Sequence, residues 1–150
     1  MQKKTLFIVL GLVVGGLGLC GCCGVGGFFF ALPRIREAAE RQQSATDLRQ
    51  ISVAMLNFYD VNKRMPAKAE DLDRFLEGGP VMQRLRKGEI EVVWNALPAH
   101  QQPGGRGNVV YAWDTKVFSG GVRNVLYMDG VVEAISESEF QQKAKAQTSK

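Results

Sequence analysis

The chain changes character at Pro33. From Thr5 to Leu32 no residue carries a charge, and the stretch is rich in Leu, Val, Gly and Phe. An uncharged apolar run of this length predicts a membrane span. As a helix rising about 1.5 Å per residue it reaches roughly 42 Å, longer than the ~30 Å hydrocarbon core, so it must tilt or protrude. After Pro33 the pattern becomes periodic. Ile35, Ala38, Ala39, Ala45, Leu48, Ile51, Met55, Phe58 and Tyr59 recur at intervals of three and four, which predicts an amphipathic helix. Its opposite face is expected to carry Arg36, Glu40, Arg41, Asp47 and Arg49. The apolar stripe is small-sided up to Ala45 and large-sided from Leu48, so a core is expected around the second half, with Leu48, Ile51, Met55 and Phe58 against a sheet. Pro33 marks a kink or a break between span and helix.

Beyond Tyr59 the signals shorten. PAKAEDLDRFLEGG predicts a short helix, with Glu70, Asp71 and Asp73 at its positive end and Gly78 and Gly79 as its stop. The three acids lack the ligand loop and glycine of an EF-hand and read as helix charge rather than cation ligands. EIEVVWNAL alternates Ile90, Val92 and Trp94 with Glu89, Glu91 and Val93, and NVVYAWD, VRNVLYMD and GVVEAIS follow as β-rich runs. Asp129-Gly130 predicts a two-residue type I′ turn, setting Tyr127 opposite Val132 and Val125 opposite Ala134. Those four make an uncharged face that is expected to cover the long helix. PGGRGN lacks the Lys-Ser or Lys-Thr and the following helix of a phosphate loop, and reads as a connection. The Lys/Gln/Ala tail, residues 141–150, is expected to fray. The fold class is α+β, a long N-terminal helix packed on a small antiparallel sheet.

Composition narrows the chemistry. Of the formal net charge of +4, Lys3 and Lys4 supply half, and the remainder is a mixed surface without a long basic run, which argues against nucleic acid as a partner. The two lysines ahead of the apolar run favour a cytoplasmic N-terminus at residues 1–4, a span over 5–32 and an extracytoplasmic domain over 33–140. Arg34, Arg36 and Arg41 on the far side weaken that asymmetry. All three cysteines, Cys20, Cys22 and Cys23, lie inside the run, and the only histidine is His100. A zinc site needs about four ligands, and C-x-C-C is not a redox spacing. Lipid also disfavours the thiolate that catalysis needs.

Two readings of the cysteines remain. LCGC resembles a bacterial lipobox with Cys22 as the lipidated residue, behind a signal-length apolar stretch. Alternatively Gly11, Gly15, Gly18, Cys22 and Gly26 line one helical face, where small residues let membrane helices approach closely. FFFAL completes a span naturally and would be a stranded apolar patch on a cleaved lipoprotein, which favours the uncleaved helix. No converging catalytic groups are legible. His100 has no evident Ser or Cys partner, and the carboxylates are explained by caps, strand faces and a turn. The expected role is structural or interactive rather than enzymatic.

ALPRIREAAERQQSATDLRQISVAMLNFYDVNKRMP, with its Leu32-Pro33, Arg36-Glu37-Ala38-Ala39, Leu48 and Ile51 three apart, Tyr59 and Pro66, resembles the type IV pilin and type II secretion pseudopilin group, closest to the G-type pseudopilin-like proteins. GGVRNVLYMDGVVEAISESEF resembles the terminal hairpin of the same group. The resemblance implies a pilin-like fold and a single-pass anchor in the bacterial cytoplasmic (inner) membrane, with the C-terminal domain outside the cytoplasm. It also implies other pseudopilin-like subunits or the secretion machinery as partners. Calcium near the C-terminal loops is a further implication, for which Asp114 and Asp129 are the nearest candidates; otherwise no cofactor is implied. Prepilins are cut after a glycine and carry a glutamate five residues into the mature helix. No Glu precedes Glu37, so neither feature is carried over. The rival class is a lipoprotein anchored through Cys22, whose domain captures a ligand.

Overall fold

A computed structural model describes residues 34–103 and 105–148. The expected span over 5–32, with Gly11, Gly15, Gly18, Cys22 and Gly26, lies outside them. No helix among the described residues is long and apolar enough to cross a membrane. The first element, α1, covers residues 34–62, and the second of the chain's two compact units begins within it at Glu40. From Ser44 onward every third or fourth side chain turns inward: Ser44, Asp47, Leu48, Ile51, Ala54, Met55 and Phe58 are buried. The helix ends where Lys63 takes a left-handed φ of 54° and donates its N–H to the Tyr59 carbonyl at 2.7 Å. Asn62 adds a side-chain bond to the Phe58 carbonyl at 2.9 Å, satisfying another of the last-turn acceptors.

The predicted short helix forms as a 3₁₀ turn, Ala69–Leu72, running into α2, Asp73–Leu76. Its acids are engaged locally: Asp71 accepts from the Ala67 N–H at 2.7 Å and Asp73 pairs with Arg86 at 2.8 Å. Glu77 at φ 50° and Gly78 at φ 63° stop it. Gly79 completes the stop by donating its N–H to the Leu76 carbonyl at 3.0 Å. It precedes a further helix, α3, Pro80–Arg86, with Pro at the first position where its missing N–H costs nothing.

Four strands, β1 (Ile90–Val92), β2 (Val109–Asp114), β3 (Val122–Tyr127) and β4 (Val132–Ser136), pair antiparallel in chain order. β1 is shorter than the alternation suggests, because Asn95 at φ 55° turns the chain away. After β4, Ser136 caps α4, Glu137–Gln142, by accepting from the Glu139 N–H. Over its described residues, up to 148, the tail then pairs rather than frays. β5, Ala144–Lys145, lies parallel to the first residues of β2, and Gln102 fixes Gln147 through both its backbone groups.

The hairpin register differs from the expected one by a residue. Leu126 faces Val132 and Val125 faces Glu133, because the loop is the three residues Met128-Asp129-Gly130 rather than two. Asp129 accepts the Val131 N–H on its carboxylate at 3.0 Å and keeps a negative φ, and only Gly130, at φ 88°, is left-handed. That is a type I turn closed by a left-handed glycine, the usual three-residue hairpin. A one-residue slip exchanges the faces of a strand. Leu126, Met128 and Val132 therefore join the core under α1, with Leu48, Ile51, Met55, Phe58, Ile90, Val92 and Val109. Tyr127, Val125 and Ile135 instead face away, in a second core with Val110 and Phe140 of α4.

Candidate functional site

The layer between α1 and the sheet ends in two different polar regions. The first lies at the Ser44–Asp47 turn of α1. Asp47, expected on the exposed face, is buried, because Ser44 and Asp47 continue the apolar stripe one helical turn before Leu48 and Ile51. Arg84 of α3 reaches between them and the sheet. Its guanidinium bonds Asp47 at 2.6 Å, Asp114 at 3.1 Å and Glu89 at 3.1 Å. Asp114, at the end of β2, also accepts the Ser44 hydroxyl and the Asn124 amide, the latter at 3.0 Å. The same Asn124 amide nitrogen donates to the Arg41 carbonyl of α1 at 3.0 Å.

Burial pushes the Asp114 carboxyl above its ordinary range, against the lowering pull of Ser44, Arg84 and Asn124. Burial also works against the Arg84 charge, but its bonds to Asp47 and Glu89 and the nearby Asp114 outweigh that and raise it. Every polar group in this cluster has a partner, so its chemistry is positional. It fixes how α1, α3, β2 and β3 meet. Asp114 is thereby engaged with protein groups, and Asp129 lies beyond the opposite end of β3, so the structure does not bring the two calcium candidates together. Among the described residues no three His, Cys, Asp or Glu side chains are grouped as a metal cluster.

The second region is a cleft of about 290 Å³ at the other end of α1. Three segments shape it. α1 supplies Ser52, Met55 and Tyr59; the connection after β1 supplies His100 and Arg106; the β3–β4 turn supplies Met128, Asp129 and Gly130. The floor is Tyr111, and a β-bulge puts it there. Between Val110 and Ala112 the pairing of β2 with β3 shifts, so Tyr111 and Ala112 both point to the α1 side. Burial drives the Tyr111 phenol far above its ordinary value.

The turn and the connection touch directly: a Cβ on Gly107 would lie 3.2 Å from Asp129 Oδ2, and one on Gly130 would lie 3.2 Å from Ser52 Oγ. His100, the only histidine of the chain, has its Nε2 3.2 Å from the Gln101 amide nitrogen and stands on the rim. Of the cleft residues, the sequence pattern singled out Met55 and Tyr59 on the helix stripe, Asp129 and Gly130 in the turn and His100 as the one histidine, and assigned none of them to a common site. Arg106 sits in the segment read as a mere connection. Tyr111 is hidden because nothing in NVVYAWD announces a bulge. Comparison of the chain with protein-family models, with curated proteins and with solved structures found no match.

Proposed function

We propose that this chain is a membrane-anchored, extracytoplasmic, pseudopilin-like structural or interaction protein, held by a single span over residues 5–32 and linked to a type II secretion or pilus-like assembly. The observation that supports it most is the design of α1. It follows an uncharged run of spanning length, is exposed over residues 34–36, and becomes the spine of a small antiparallel sheet only from Ser44. One helix serving as anchor extension and domain core is the architecture that the resemblance to pseudopilins implies. Partners would be other pseudopilin-like subunits or secretion machinery, engaged through the glycine-lined face of Gly11, Gly15, Gly18, Cys22 and Gly26.

The lipobox-like LCGC favours a second reading, a lipoprotein anchored through Cys22. Mature mass and fatty-acid labelling in bacterial cells separate the two. Full-length mass, no label and membrane retention after Cys20, Cys22 and Cys23 are all changed to Ala support the span. A label that the triple variant loses, with uncleaved precursor accumulating, identifies the lipoprotein. Protease added to spheroplasts should degrade the C-terminal domain; protection of that domain overturns the orientation.

A further inference from the structure

The Tyr111 cleft carries two opposite charges that form no ion pair with each other. Arg106 makes no ion pair with a described residue, and neither does Asp129. Asp129 uses Oδ1 on the Val131 N–H, leaving Oδ2 beside Gly107 at the mouth. Tyr111 is 4% exposed, lines the cleft and has no hydrogen-bond partner among the described residues. Met55, Met65 and Met128 line the same cleft, and methionine is a flexible apolar side chain that moulds to varied partners.

We propose that this cleft binds a short zwitterionic peptide with apolar side chains, its carboxylate at Arg106, its ammonium at Asp129 and its side chains on the methionines. Charge complementarity selects this class. A simple anion would meet Asp129, a simple cation would meet Arg106, and a neutral apolar molecule would strip water from both without replacing it. A molecule with both charges satisfies both. Arg presents a planar fork that suits a carboxylate, and the Tyr111 hydroxyl adds a donor at the floor. The cleft, at about 290 Å³, stands at the small end of ligand pockets, with room for on the order of two residues. The inference goes beyond the anchoring and assembly reading and holds whichever anchor the chain uses.

Isothermal titration of the full-length protein in detergent micelles with the dipeptide Leu-Leu tests it, with titration into empty micelles as the reference. Leu-Leu should give saturable heat, while N-acetyl-Leu-Leu and Leu-Leu amide should each bind about tenfold more weakly or worse, the size of one lost charge-assisted bond. Arg106→Ala should weaken Leu-Leu and no longer distinguish it from its amide. Asp129→Asn, which keeps an oxygen for the Val131 N–H, should no longer distinguish it from the acetylated form. Absence of heat above the micelle reference overturns the proposal. So does equal binding of the blocked peptides, a comparison that leaves the protein untouched. Wild-type discrimination in both variants overturns the assignment of the two charges.

Discussion

The two ends of the helix–sheet layer use the same kinds of side chain to opposite effect. At Ser44 and Asp47 an arginine, carboxylates, a hydroxyl and an amide saturate one another, and the Asp47 and Asp114 carboxylates are all but removed from water. At Met55 and Tyr59, about 17 Å further along α1 at 1.5 Å per residue, an arginine, a carboxylate and phenols surround an open cleft without an ion pair among the described residues. The first region commits its polar groups to the fold, so changing one member leaves another buried and unpaired. The second leaves the Arg106 guanidinium and Asp129 Oδ2 outside any ion pair among the described residues, so changing either charge is expected to alter what the surface can bind more than how firmly it folds.

The largest expected effect belongs to the saturated end. Arg84→Ala strands Asp47 and Asp114 as buried carboxylates and should cost about 3–5 kcal/mol in urea unfolding of the full chain in micelles. Arg84→Lys should recover part of this, since a single ammonium cannot span three carboxylates as a planar fork does. A loss under about 1 kcal/mol for Arg84→Ala would show that the cluster does not hold the layer together.

Gly130→Val tests the junction between turn and helix at the open end. The residue has a φ of 88° and its added Cβ would meet Ser52 Oγ at 3.2 Å, so a loss of about 1–3 kcal/mol is expected. Gly130→Asn should cost less, because Asn tolerates positive φ better than a β-branched residue. Equal tolerance of both would mean that the hairpin is closed in another way.

Smaller still is the effect of Tyr111→Phe, visible only in alkali. The folded phenol keeps its proton while the unfolded one ionises from its ordinary value of 10.0. Above that pH the native state binds more protons, so stability falls as pH rises, by up to about 1.4 kcal/mol per pH unit. The Phe variant lacks this slope. The difference between the two proteins should be flat below pH 9 and should open above pH ~10; a difference that stays flat through pH ~11 would mean that the phenol ionises freely in the fold.

Arg106→Ala should barely register in unfolding, within about 0.5 kcal/mol, since the residue is exposed and makes no ion pair with a described residue. A loss of several times that would mean Arg106 belongs to the fold and that the contrast between the two ends fails.

The part of this architecture that periodicity writes down was legible. Leu48, Ile51, Met55 and Phe58 form the core face that their spacing predicts, and all four longer strands fall on the β-rich runs. What escaped depends on contacts that no local pattern carries. Asp47 looked like surface by its charge, although its spacing from Leu48 and Ile51 places it on the stripe; only its partner, Arg84, 37 residues away, makes its burial tolerable. α3 has Val81, Met82 and Leu85 at helical spacing but is only two turns long, too short to stand out. The turn misled through a true rule, since Asp-Gly does favour two-residue loops, but the Asp129 carboxylate accepts the Val131 N–H and stabilises a three-residue one. Half of the cleft went unseen because the bulge at Tyr111 and the course of the Arg106 connection are set by the surrounding packing.

β2 has a consequence for aggregation. VVYAWD is the kind of β-prone, weakly charged stretch that seeds cross-strand association when its backbone is bare. In the folded chain one edge of it is covered by β3, while the other is shared end to end by β1, on Ala112–Asp114, and by β5, on Val109 and Val110. The second cover is only two residues long and belongs to the tail. Local opening of residues 144–148, without any loss of the core under α1, would uncover the Val109–Val110 edge of this strand, so the hold of Gln102 on Gln147 is expected to guard against association through it.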